Sequence, residues 1–188
     1  SKVLVSLAAI LILLGLFEVG VRIFAPQERG LFVADRYIRT IHRPNVETVK
    51  KTEEFTATIK TNAQGFVGGD FVKEKSPGEF RAVVIGDSFT EGFQVNYDET
   101  FSARIGAYNF GVSGAGTTHE IATYEHYVRE YAPALVIWEF TIGNDFADDL
   151  LLDDNPRRGR IRAIVSNWFQ SPRFVIRKLE EVRAARDL

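Results

Sequence analysis

The sequence predicts an α/β domain with parallel strands, preceded by one transmembrane helix. From residue 81 onward, short apolar runs alternate with turn residues and helical segments, which is typical of a parallel sheet covered by helices. Before that point, one long stretch near the start is almost entirely apolar. These observations divide the chain into a transmembrane anchor (1–25), a juxtamembrane approach segment with a strand (26–80), an α/β core (81–156) and a basic helical tail (157–188).

The anchor is predicted from length and charge. Residues 3–17 carry no charge, and the apolar stretch continues to Ala25, so a helix there would reach about 34 Å against a hydrocarbon core of about 30 Å. Glu18 and Arg22 lie four residues apart and can pair at headgroup depth. A buried core helix and a cleavable signal peptide are the alternatives, but Pro26 directly after the best small-residue site disfavours cleavage. We therefore expect an uncleaved anchor.

Composition and charge restrict the partners. The chain has no cysteine, which excludes disulfides and thiolate metal sites. Residues 81–156 contain 3 basic and 13 acidic residues, whereas residues 157–188 contain 9 basic and 3 acidic ones. The basic tail is therefore expected to meet an acidic surface, which is the core itself, a lipid headgroup layer or a protein partner. The arginines at 157–160 stand beside an acidic core, so we predict no nucleic acid partner.

Each element of the soluble part has a local signal. Alternating side chains predict a half-buried strand from Thr52 to Thr61. The Thr117-x-x-Glu120 spacing is read as a capping box that opens a helix. The predicted core strands are 81–85, 108–110 and 134–140, the last buried on both faces, and the predicted helices are 100–105, 117–131 and 172–185.

Three turn motifs follow the predicted strands. Gly86-Asp87-Ser88 comes directly after the first apolar run and can expose a serine hydroxyl as a nucleophile. The segments 109–114 (Asn-Phe-Gly-Val-Ser-Gly) and 142–145 (Ile-Gly-Asn-Asp) follow the next two strands. Since the carboxyl ends of parallel strands meet at one edge of a sheet, we expect all three turns to lie together.

In this order, the three motifs resemble the SGNH hydrolases, also called GDSL-like lipases and acylhydrolases. The resemblance implies a flavodoxin-like, three-layer α/β/α fold, of which this chain holds a part, with Ser88 as nucleophile. It also implies oxyanion donors from the backbone amides of Ser88 and Gly114 and the side chain of Asn144. The implied substrate is an acyl ester, either a lipid or an acylated saccharide, and no cofactor is implied. Similar membrane-anchored bacterial proteins place this domain outside the cytoplasm, which predicts a single-pass protein facing the periplasm.

Two features depart from the family pattern. The third block usually begins with glycine, and here Ile142 stands at that position. The Asp-x-x-His block that supplies the general base does not occur in the 188 residues, because none of His42, His119 and His126 has an acidic residue three positions before it. His119 and His126 are interpreted as surface or packing residues, with His119 alone near enough to the second block to substitute. We expect the base in a continuation of the chain, since these residues supply about three strands of a sheet that needs about five.

Two functions remain open from the sequence. The first is a membrane-anchored ester hydrolase or acyltransferase domain, and the second is a non-catalytic subunit that keeps the fold to dock within a larger membrane complex through its transmembrane helix and basic tail. An Asp-x-x-His beyond Leu188 would favour the enzyme. A group of aspartates follows the third block, but it lacks the glycine-bearing spacing of a calcium loop and is interpreted as solvated, with no metal site predicted. Its members are Asp145, Asp148, Asp149, Asp153 and Asp154.

Overall fold

The computed structural model describes residues 2–26, 30–143 and 169–184. The helices are α1 (Lys2–Phe24), α2 (Ser88–Glu91), α3 (Phe101–Arg104), α4 (Thr117–Thr123) and α5 (Ser171–Ala184). The strands are β1 (Phe32–Ala34), β2 (Thr40–His42), β3 (Glu47–Lys51), β4 (Thr56–Lys60), β5 (Ala82–Gly86), β6 (Tyr108–Gly111) and β7 (Leu135–Trp138). Two compact units result: Ser1–Gly30 with Ile161–Leu188, and Leu31–Arg160.

A three-stranded parallel sheet lies at the centre of the larger unit. Its order is β6-β5-β7, with Gly86 opposite Gly111 and Ile85 opposite Trp138. The middle strand consists of apolar residues that are almost completely buried, because helices and neighbouring segments cover it. The predicted parallel strands and the α/β class are therefore confirmed.

Strand β7 differs from its prediction. It covers only Leu135 to Trp138, and both of those side chains are nearly half exposed. The expectation that this strand is buried on both faces is wrong. An apolar run shows that a strand can be buried, but it does not show that another segment covers it. Within the described part of the chain, β7 pairs with β5 alone.

Helix α4 begins at the predicted place but without the predicted cap. Its N-cap is Gly116, which makes no side-chain cap hydrogen bond. Thr117 is thus the first residue inside the helix, and a capping box requires it one position earlier. The Glu120 carboxylate instead accepts a hydrogen bond from the Trp138 indole nitrogen at 2.6 Å, so it joins α4 to β7. The helical path continues through a π-helical turn and a 3₁₀ turn to Tyr131, as expected.

The segment from 31 to 80 belongs to the same compact unit as the sheet. It forms two antiparallel hairpins, β1 with β2 and β3 with β4. The predicted alternation in β4 is confirmed, since Ala57 and Ile59 are buried between partly exposed neighbours. Phe66 follows these hairpins and is fully buried among the rings of Phe71, Phe110 and Tyr127, with centroids 4.7–6.1 Å away. This segment therefore completes the hydrophobic core.

A half-buried carboxylate ties the first hairpin to the helical layer. Asp35 accepts hydrogen bonds from the backbone N–H groups of Tyr37 and Ile38 and from the Tyr127 hydroxyl at 2.5 Å. Burial alone would raise the pKa of the Asp35 carboxyl, but these donors outweigh it, and the pKa lies below its usual value. Burial and the nearby Asp35 carboxylate raise the pKa of Tyr127.

We expect Asp35→Asn to be less stable than the wild type at pH 7, with a difference that shrinks as the pH falls. A carboxyl with a lowered folded-state pKa stabilises the protein above the unfolded-state pKa of about 3.9, and this contribution disappears as the pH falls through the folded-state pKa. Urea unfolding of the full chain in detergent at pH 7, 4 and 2.5 measures the difference. A gap that stays constant or widens between pH 7 and pH 2.5 would contradict the assignment.

In the smaller unit, α1 contacts the start of α5. The Glu18 carboxylate accepts hydrogen bonds from the backbone N–H groups of Gln170 and Ser171 and from the Arg22 side chain, each at 2.8 Å. Among the described residues, α1 is the one helix long and apolar enough to cross a membrane, although a signal sequence near the N-terminus has the same properties. Helix α5 begins at the predicted Ser171-Pro172 pair.

Candidate functional site

Ser88 is the first residue of α2, directly after the middle strand of the sheet. The strand ends at Gly86, and Asp87 then caps the helix, its carboxylate accepting a hydrogen bond from the Phe89 N–H at 2.8 Å. Asp87 is completely buried in this role, whereas Ser88 is partly exposed. Gly92 ends the helix in a left-handed conformation after a single turn. The sequence thus folds into a strand, a tight turn and a short helix that presents the serine.

The second predicted block packs directly against this helix. A Cβ atom on Gly111 would lie 2.3 Å from the backbone nitrogen of Glu91, so only glycine lets the end of β6 approach α2 this closely. The Asn109 side chain donates a hydrogen bond to the Thr90 carbonyl at 2.8 Å and fixes the same contact. Beyond them, Gly114 has a φ of +73°, a conformation that favours glycine.

A buried pair of polar side chains, Glu91 and His42, links the helix of Ser88 to the turn of Gly114 and to Gly65. Glu91 accepts a hydrogen bond from the Ser113 N–H at 2.5 Å through one carboxylate oxygen, and its other oxygen lies 2.9 Å from His42 Nε2. The second ring nitrogen of His42 lies 3.3 Å from the Gly65 carbonyl oxygen. The side chains of His42 and Glu91 are 0% and 1% exposed. This buried pair therefore holds the turn before Gly114 in position.

The third strand reaches the same helix through Glu139. One of its carboxylate oxygens accepts a hydrogen bond from the Thr90 hydroxyl at 3.2 Å, and the other accepts one from Thr141 at 2.7 Å. The chain continues through the turn at Gly143, while Asn144 lies outside the described residues. The structure therefore brings the segments of Ser88 and Gly114 to one edge of the sheet, as the parallel pairing predicts. The position of Asn144 stays a prediction.

An open cavity of about 370 Å³ adjoins the serine. Four large apolar side chains contribute to its wall, and three of them are also well exposed to solvent. Its lining is Ser88, Phe89, Gly92, Phe93, Gln94, Val95, Glu99, Thr100 and Phe101. The apolar side chains of this cavity suit an uncharged, apolar part of a ligand, and polar groups, including the Ser88 hydroxyl, line the rest of it.

The three histidines have different surroundings. Both ring nitrogens of His42 face partners in the interior. His126 is exposed and stacks on Tyr37 with ring centroids 3.8 Å apart. His119 lines a small crevice beside Ser113. The Ser88 hydroxyl makes no hydrogen bond within the described residues, so a general base is not identified among them.

No group of three or more His, Asp or Glu side chains within the described ranges could hold a metal ion. The predicted aspartate group at 145–154 lies outside those ranges. The carboxylates around Ser88 are engaged instead in caps and hydrogen bonds, as the contacts of Asp87 and Glu91 show.

His42 and Glu91 were missed by the analysis of the sequence. His42 is far from the motifs along the chain, and none of the motifs includes Glu91. One feature of the sequence could have pointed to Glu91. It stands three residues after Ser88, and a charged side chain that close to a buried strand must either reach solvent or pair with another polar group.

The chain was compared with protein-family models and with curated proteins. Neither comparison gives a match. The function is therefore inferred from the residues and from the geometry of the sheet edge.

Proposed function

We propose that this chain is the nucleophile and oxyanion half of a membrane-anchored serine ester hydrolase or acyltransferase of the SGNH type. The observation that carries the proposal is the position of Ser88: it follows the middle strand of a parallel sheet and opens into the cavity of about 370 Å³. An acyl ester, either a lipid or an acylated saccharide, is the proposed substrate, and its acyl part would occupy the apolar side of the cavity.

The strand order supports the flavodoxin-like assignment. In the sequence of core strands, β5 is first, β6 second and β7 third, so the spatial order is second, first, third. Doubly wound sheets of the flavodoxin type begin with this order, and they bind ligands beyond the carboxyl ends of the strands where the order reverses. That point lies between β5 and β7. Ser88 stands directly after β5, which is where such a site is expected.

The chemistry assigns one role to each residue. The Ser88 oxygen attacks the ester carbonyl carbon and forms the new C–O bond, while its proton passes to a base that the resemblance places in an Asp-x-x-His block. The ester C–O bond breaks, the alcohol leaves with a proton, and the acyl group then moves from Ser88 to water or to another alcohol. The amides of Ser88 and Gly114 and the side chain of Asn144 would stabilise the oxyanion, and losing one such donor costs about 3–4 kcal/mol in the transition state.

The membrane part of the proposal depends on α1. A helix of this length and apolar character can remain as an anchor, and we propose that it does so as a single span, with the larger unit on the extracytoplasmic side. The contacts of Glu18 with the start of α5 support retention of α1, since removal of residues 1–25 would leave two backbone N–H groups without these partners.

The test is covalent labelling of the serine. In the full-length protein, a fluorophosphonate should label Ser88, and Ser88→Ala should lose the label completely because the attacking oxygen is gone. Mass spectrometry of the labelled peptide identifies the residue. In the 188-residue chain alone the labelling should be slow, since a serine without its base is weakly nucleophilic. Labelling that persists in Ser88→Ala would contradict the proposal.

A second candidate is a non-catalytic subunit that uses the same fold for docking within a membrane complex. The observation that favours it is the contact of α1 with the start of α5 through Glu18, which joins the two segments that would dock. The same experiment separates the two candidates, because a full-length protein whose Ser88 never reacts with the fluorophosphonate would support the docking role.

A further inference from the structure

Helix α5 presents apolar side chains on an exposed face. Val175, Ile176 and Leu179 are between 43% and 56% exposed. Their spacing of one and four residues places them on an arc of about 100° around the helix. Arg177 and Lys178 are exposed outside this arc. Apolar residues on one side and cations on the other are typical of a helix that lies in the interface of a membrane.

The contact with α1 places the start of α5 at a definite depth. Glu18, whose carboxylate binds the backbone at Gln170 and Ser171, stands six residues before the end of α1 at Phe24. At 1.5 Å per residue this is about 9 Å along the helix axis. Interfacial helices bury their apolar face to about 5–10 Å. The two depths agree if α1 spans the membrane with Phe24 at the headgroup surface.

The same contact explains how a carboxylate is tolerated within the apolar helix. A charged group inside a membrane is costly unless it is paired or hydrogen-bonded. Glu18 has three donors, namely Arg22 and the two backbone N–H groups at the start of α5. Phe174 also contacts Phe17 edge-on, with centroids 6.3 Å apart, and it lies outside the apolar arc. The packing of α5 on α1 therefore leaves the arc uncovered.

We propose that α5 lies in the headgroup layer of the membrane that α1 spans, with the arc of Val175, Ile176 and Leu179 toward the acyl chains and Arg177 and Lys178 toward the lipid phosphates. The proposal depends on α1 remaining as a membrane span. It does not depend on the hydrolase activity, so a failure of Ser88 labelling would leave it intact.

The experiment uses the absence of cysteine from the chain. Single variants Ile176→Cys, Leu179→Cys and, as the matched control, Arg177→Cys are made in the full chain, labelled with an environment-sensitive fluorophore and reconstituted in vesicles of phosphatidylcholine and phosphatidylglycerol. We expect the labels at 176 and 179 to be quenched by spin-labelled lipids and to be several-fold less accessible to aqueous iodide than the label at 177.

Two outcomes would overturn the proposal. Labels at 176 and 179 that are as accessible to iodide as the label at 177 would show that the face is in water. Labels that are shielded from both iodide and spin-labelled lipid would show that protein covers it instead.

A second variant tests whether Glu18 sets the depth. Glu18→Ala should increase the iodide accessibility of the label at 176, while α1 still resists extraction by alkaline carbonate. Unchanged quenching at 176 in this variant would refute the role of Glu18.

Discussion

Glu91→Ala is expected to lower the free energy of unfolding by about 3–5 kcal/mol, because it removes one member of a completely buried polar pair. The substitution leaves the completely buried His42 Nε2 and the partly buried Ser113 N–H without their acceptor. Glu91→Gln should lower the free energy of unfolding by less than Glu91→Ala, because glutamine keeps the side-chain volume and one oxygen acceptor. Urea unfolding of the full chain in detergent, followed by circular dichroism, measures both.

The matched control is a glutamate that forms an ion pair on the surface. Glu125 and Arg129 form an i, i+4 ion pair at 3.3 Å, with both side chains more than half exposed. Glu125→Ala should therefore change the free energy of unfolding by only about 0–1 kcal/mol. If Glu91→Ala proved no more destabilising than Glu125→Ala, the buried His42–Glu91 pair could not be a feature of the folded protein.

The predictable part of this fold depends on strong local signals. The run from Ala82 to Gly86 is apolar throughout and ends in turn residues, so a buried strand followed by a more exposed serine could be predicted without knowing its neighbours. The alternation around Ile59 likewise identified β4 and its buried face. In both cases the periodicity of side-chain burial along the chain carries the information.

Long-range contacts could not be predicted in this way. His42 and Glu91 are 49 positions apart, and neither has a local pattern that marks it as buried. The burial of β7 was overestimated because apolar content does not say which neighbour is present. The Thr117-x-x-Glu120 spacing fits a capping box, yet the Glu120 carboxylate accepts a hydrogen bond from Trp138. That contact depends on how α4 lies against the sheet. Such contacts are decided by tertiary packing.

The contribution of residues 31–80 to the core also depends on long-range packing. Phe66 lies in a glycine-rich stretch that reads as a turn, and it nevertheless fills the space between Phe71, Phe110 on β6 and Tyr127 above the sheet. Phe66→Ala should lower the free energy of unfolding by about 3–5 kcal/mol, because it opens a cavity in a fully buried site.

The readout is chosen to report on the sheet itself. Trp138 on β7 gives the fluorescence signal in a Trp168→Phe background, and the matched control is Phe80→Ala, whose side chain is mostly exposed and should change stability by less than about 0.5 kcal/mol. If residues 31–80 and the sheet unfold as one cooperative unit, the Trp138 transition in urea shifts with Phe66→Ala and stays single. A Trp138 transition that does not move would mean that the sheet folds without this segment. The segment would then only connect the helix α1 to the site around Ser88.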